Sequence, residues 1–160
     1  MNIWSAENKG IEVILSDGNT IATCNKGSGM GMSGVLGKLG LESIMQFQCQ
    51  LLKVSSNMAI GVAEASTSVE RYDDDAKKTV IRSTGEICAY GKTIFTSRHT
   101  QIREGDHIQI EFNSTTCNVA FYVNGDELFN LGIESAKSLR PYFSGCLGAS
   151  TVISDVSLHS

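Results

Sequence analysis

Apolar and polar residues alternate with a period of two along His107–Asn113, where Ile108, Ile110 and Phe112 interleave with His107, Gln109, Glu111 and Asn113. That period sends successive side chains to opposite faces of an extended chain, so the segment is expected to be a half-buried β-strand. Asn118–Asn124 repeats the pattern with Val119, Phe121 and Val123. The polar connection Asn113–Asn118 makes the two an antiparallel hairpin. Asn124-Gly125 comes next, and both residues tolerate positive φ, so the chain is expected to turn there and return as a third strand, Glu127–Leu131.

The same grammar recurs along the chain. Ile11, Val13 and Leu15 alternate ahead of an Asp17-Gly18 turn, and Thr20–Thr23 runs back. Gln46–Leu51 alternates glutamine with Phe47, Cys49 and Leu51, and Leu52 then breaks the phase, which predicts a bulge. Met58–Ala63, Glu86–Tyr90, Arg140–Leu147 and Thr151–Leu158 complete the expected strands. Only Leu36–Ile44 has helical spacing, weakened by Gly37 and Gly40. Many short strands with frequent turn signals predict an all-β sandwich or barrel.

Composition narrows this picture. The 160 residues include sixteen glycines and a single proline, with no repeat or low-complexity linker, so one domain spanning 1–160 is expected. No apolar run approaches the ~20 residues of a membrane helix. Met1-Asn2-Ile3-Trp4 lacks the basic start and apolar block of a secretion signal. The net charge is −4, with lysines and arginines scattered. Without a basic stripe, neither nucleic acid nor a membrane surface is an expected partner. Cys24, Cys49, Cys88, Cys117 and Cys146 are odd in number and widely spaced, which fits reduced thiols in the cytoplasm, with the nucleus as the other compartment.

Chemical motifs are scarce. Gly29–Gly34 has the spacing GxGxxG, but Cys24-Asn25-Lys26 ahead of it is no buried strand and the segment after it is broken by glycines, so a surface loop is expected rather than a nucleotide site. His99, His107 and His159 lack metal-ligand spacing, and His107 falls on the polar face of its strand. Asp73-Asp74-Asp75 lacks the spaced ligands of a calcium loop. No serine sits in a nucleophile elbow. The expectation is a non-catalytic chain without metal or cofactor. Trp4, Tyr72 and Tyr90 are the aromatic residues that could stack on a sugar.

Gly105-Asp106-His107-Ile108, Glu111-Phe112-Asn113 and Val119-Ala120-Phe121-Tyr122-Val123-Asn124-Gly125 together resemble the SPRY domain family. That family reads glycine-aspartate, an alternating strand, a turn, and an apolar strand closing on Asn-Gly. Leu139-Arg140-Pro141, Phe47–Leu52 and Ile60-Gly61-Val62-Ala63 match its other strands, and Gly85–Gly91 stands where the family places a Trp-Gly-Tyr type strand. The resemblance runs over 30–152. Gln109 replaces a common glycine, Asn113 a common aspartate, and Cys88-Ala89-Tyr90 lacks the frequent tryptophan.

The resemblance implies a bent, concanavalin A-like jelly roll of two antiparallel sheets and a groove for a partner protein or peptide at one rim. Carried over residue by residue, the groove would use Glu64, Phe95 and Cys146-Leu147-Gly148. The family's roles include recruiting substrates to ubiquitin ligases and assembling regulatory complexes. A lectin-like, glycan-binding sandwich is the alternative on the same architecture, and a glycan-cleaving enzyme would require two facing carboxylates.

Overall fold

A computed structural model of the chain describes residues 2–25, 33–55, 58–70, 77–96, 101–133 and 139–155. Its strands are β1 (Trp4–Lys9), β2 (Val13–Ser16), β3 (Ile21–Cys24), β4 (Ser33–Gly37), β5 (Gln46–Lys53), β6 (Ala59–Glu64) and β7 (Lys78–Arg82). They continue as β8 (Glu86–Ala89), β9 (Lys92–Thr96), β10 (His107–Asn113), β11 (Asn118–Val123), β12 (Asp126–Gly132), β13 (Leu139–Gly145) and β14 (Ala149–Ser154). One helical turn, α1 (Leu41–Ile44), precedes β5. The strands form two seven-stranded antiparallel sheets, ordered β1-β4-β13-β6-β7-β8-β9 and β12-β11-β10-β5-β14-β3-β2. The two sheets make the sandwich that the alternating pattern predicts.

The expected meander is present in register. Ile108 faces Val123 and Phe112 faces Val119 across β10 and β11, and β12 returns alongside β11. Asn124 and Gly125 both take positive φ, as their turn requires. The inward faces of β10 and β11 bury Ile108, Ile110, Val119 and Phe121 completely, against Trp4, Phe47 and Phe143. Each such side chain withdrawn from water stabilises the fold by roughly 1.5–3 kcal/mol.

The Gly-Asp and Asn-Gly ends of this block are tied to each other. The Asn124 amide donates to Asp106 Oδ1 at 3.0 Å and its oxygen accepts from His107 N–H at 2.9 Å. The same corner grips β5: Leu51 N–H donates to the Asp106 carbonyl at 2.9 Å and Gly105 N–H to the Leu51 carbonyl at 2.7 Å. The bulge expected at Leu52 comes directly after, where the β5–β14 register shifts between Ser150 and Thr151.

The first sheet is buried on both faces. Val35, Ile60, Ile81 and Phe143 point into the main core, while Leu36, Ala59, Val80 and Tyr142 form a second cluster on the outer face. The segment after β6 lies across that outer face, where the Val69 carbonyl accepts from Gly34 N–H at 2.8 Å. Two buried faces erase alternation, which is why Ser33–Gly37 and Lys78–Arg82 carry no period-2 signature.

Other boundaries differ from expectation. Leu36 and Gly37 belong to β4, so only Leu41–Ile44 of the expected helix is helical. Arg140–Leu147 is a strand only as far as Gly145. Ile11 is 86% exposed, because the chain turns at Gly10 before β2 begins, so it does not share the inward face of Val13. Trp4–Lys9 and Lys92–Thr96 are further strands that the pattern did not signal. Asp73-Asp74-Asp75, His99, His159 and all but Ser33 and Gly34 of the glycine-rich segment lie outside the described residues.

Candidate functional site

Cys146-Leu147-Gly148 joins β13 in one sheet to β14 in the other. Leu147 has φ 54° and Gly148 has φ 84°, the two consecutive positive values of a type I′ turn. The turn is closed by Ala149 N–H donating to the Cys146 carbonyl at 3.0 Å and anchored by Gly148 N–H donating to the Cys24 carbonyl at 2.8 Å. The Cys146 side chain is buried beneath it next to Cys24, whose thiol is pushed up to about 12 by burial and by Cys146. Leu147 itself is 48% exposed. Asparagine, aspartate or glycine suits the first central position of such a turn, since a leucine there is strained. Here the strained residue is also apolar and presented to solvent, a combination that Met45 shares at φ 64° and 42% exposure.

Other exposed apolar residues gather at the same rim. Ile14, Thr23, Ser150 and Lys53 form one row across β2, β3, β14 and β5. Leu52, in the bulge beside Lys53, is 42% exposed, and Ile14 is 55% exposed at the other end of the row. Ile11 lies one turn beyond, next to Glu12, whose carbonyl accepts from Asn25 N–H. The small Thr23 and Ser150 leave the surface between them low. Lys53 reaches over Gly148, its Nζ standing 3.1 Å from where a Cβ would be.

The five residues singled out from the resemblance do not come together. Glu64, half-buried at the end of β6, pairs with Leu139 at the start of β13. Leu147 lies past the other end of β13, more than six residues from Leu139, or roughly 20 Å at about 3.3 Å per residue. The reason is topological: β6 and β13 are antiparallel, so the end of β6 sits beside the beginning of β13, away from the turn that closes it. Phe95 lies on the edge strand β9, paired with Ile87 in the cross-strand row of Phe143. Four strand spacings of about 4.8 Å separate it from β13, and its side chain lies outside the described set. Only Cys146, Leu147 and Gly148 form a unit.

A second feature went unread in the sequence. The outer face of β5, β10, β11 and β12 carries Gln46, Gln48, Gln50, Gln109, Asn118 and Asn130, with no lysine or arginine among these strand positions. At its end lies a groove of about 510 Å³ lined by Gln46, Glu111, Asn113, Asn118, Tyr122 and Asn130 among others. The Tyr122 hydroxyl donates to Glu111 Oε2 at 3.2 Å. Burial first, then the Glu111 carboxylate, hold the phenol above its ordinary pKa. The signal was available: glutamine at every second position of Gln46–Gln50 marks the polar face of β5. Among the described residues, no three histidine, cysteine, aspartate or glutamate side chains gather to hold a metal ion.

Superposition on solved structures gives close matches over nearly the whole chain. The SPRY domain of human HERC1 matches with a TM-score of 0.79 at 17% identity, covering 98% of this chain and 99% of that one. The fold is that of an SPRY domain. A further human SPRY domain matches at 0.71 and 12% identity, covering 91% of this chain and 96% of its own. The PSpry domain of TRIM65 matches at 0.72 and 11% identity, covering 96% and 88%. No family sequence model and no curated protein matches the sequence. The likeness is therefore one of SPRY fold, carried by strand order and sandwich geometry.

Proposed function

We propose that this SPRY-fold chain is a non-catalytic recognition module that docks a partner protein or peptide on the rim around Leu147. The observation that carries this reading is the turn itself: a strained, exposed leucine fixed by two backbone hydrogen bonds, with Leu52, Ile14 and Ile11 exposed on the same rim. Exposed apolar groups on a rigid scaffold are the usual anchors of a partner, because burying them costs the scaffold little ordering. In a cell, such a module would bring a substrate to a ligase or hold a regulatory complex together. The free thiols suit the reducing cytoplasm or nucleus. The test is affinity capture with the wild-type chain beside a Leu52→Asp, Leu147→Asp variant. A partner held by the wild type and released by the variant is expected. Identical captures from both would overturn the reading.

A second reading has its own support. The groove lined by neutral amides, with Glu111 and Tyr122, offers donors and acceptors suited to the hydroxyls of a glycan. Its volume lies within the roughly 300–1,000 Å³ of small-ligand sites. Saturable oligosaccharide binding that is lost in Tyr122→Phe would favour this reading over protein docking.

A further inference from the structure

At the rim opposite Leu147, a pocket of about 310 Å³ opens between β1 and the start of β13, with Trp4, Glu7, Asn8, Asn19, Lys38 and Arg140 in its lining. Its two cations are neighbours by register. Leu36 pairs with Tyr142 and Gly37 with Trp4, so Lys38, two residues past Leu36, comes alongside Arg140, two residues before Tyr142. Lys38 N–H donates to the Ile3 carbonyl at 2.9 Å, which holds it at this edge. Among the described residues, neither cation has a carboxylate within ion-pair distance. Like charges facing each other across strands are destabilising, so the arrangement lacks a counter-charge.

Trp4 belongs to the pocket lining, with its ring fully buried in the core against Phe143. Asn19, at φ 66° in the turn after β2, is part of the same wall. A guanidinium fork and an ammonium side by side are groups that recognise oxyanions. Glu7 shares the lining, leaving two positive charges against one negative. That balance selects a small, singly presented anion over a polyanion such as nucleic acid.

We propose that this pocket binds an oxyanion, a phosphate monoester or a carboxylate on a small ligand, between Lys38 and Arg140. The site is separate from the Leu147 rim, so either assignment can fail without the other. The test is an amide-resolved NMR titration with sodium phosphate and with sodium acetate, each against sodium chloride at matched ionic strength. Saturable shifts are expected at Asn19, Lys38 and Arg140, with none in chloride. Tighter phosphate binding identifies a phosphate ligand, and tighter acetate binding a carboxylate. Lys38→Gln and Arg140→Gln should each weaken binding at least ten-fold. Lys38 is exposed, so its variant tests the site even if Arg140→Gln perturbs folding. Shifts that match those in chloride, or that survive Lys38→Gln unchanged, would overturn the proposal.

Discussion

Replacing Leu147 by glycine should separate recognition from stability. The leucine sits at φ 54°, where an L-residue is disfavoured by roughly 1–2 kcal/mol and glycine is not. Against that gain, glycine frees the unfolded chain, costing about 0.4–1 kcal/mol. The side chain is 48% exposed, so about half of its burial is lost as well. With roughly 1.5–3 kcal/mol for a fully buried leucine, that half is about 0.8–1.5 kcal/mol. The three terms cancel to within about 1 kcal/mol, and the urea midpoint should barely move. Binding behaves differently. The exposed half is what a partner would cover, also worth about 0.8–1.5 kcal/mol, or roughly a 4- to 12-fold rise in Kd. Calorimetric titration of the captured partner into both chains reads the second quantity, and urea unfolding the first. A loss of stability beyond about 2 kcal/mol would make Leu147 a core residue. Unchanged affinity at unchanged stability would remove it from the interface.

Two predictions concern the scaffold. Burial pushes the Cys24 and Cys49 thiols up to about 12 from the ordinary 9.0, so they stay protonated in the fold while the unfolded chain ionises. The stability they confer is complete below pH 9.0 and lost as pH rises towards 12. Near pH 10.5 each should lose about 2 kcal/mol. Urea unfolding under reducing conditions should show this fall, and Cys24→Ala, Cys49→Ala should flatten it; an equal slope in the variant would contradict the assignment. Gly61→Ala should unfold the domain or destabilise it by more than ~3 kcal/mol in thermal melts. A Cβ there would meet Thr79 O at 2.1 Å and Val80 Cα at 2.7 Å, backbone atoms of the paired strand that cannot yield. Gly132→Ala, whose Cβ meets only Asn118 Oδ1 at 3.6 Å, is the tolerated control.

Legibility in the sequence depends on which faces are buried. β10 and β11 have one dry and one wet face, so Ile108–Phe112 and Val119–Val123 announced their strands, register and hairpin. In the first sheet, β4 and β7 are covered on both sides by residues far away in sequence, and local alternation vanishes. β1 hid for another reason: Ala6 and Glu7 are both exposed, so Trp4 is the only large apolar residue that marks it. The turn at Leu147 was masked by its own chemistry. A leucine after Phe143 and Cys146 reads as more strand, and only the positive φ shows that the chain has already reversed. Lys38 and Arg140 are about a hundred residues apart in sequence, and nothing short of the β4–β13 register brings them together.

The segment most recognisable in the sequence, Gly105–Gly125, acts on the rim without lying in its apolar patch. Asp106 and Asn124 lock the two ends of the meander to each other. Through its backbone, the same corner holds Leu51 from both sides. Leu51 is fully buried, so its neighbour Leu52 must project from the sheet, and the bulge opposite Ser150 is where it does so. A polar clasp and a core leucine therefore aim an apolar side chain into solvent. Asp106 and Asn124, the clasp residues of the block that resembles SPRY domains, bond to the fold itself. In the proposed docking role, the identity of Leu52, Leu147 and Ile14 would be set by the partner, and sequence similarity between folds of 11–17% identity has no reason to retain it.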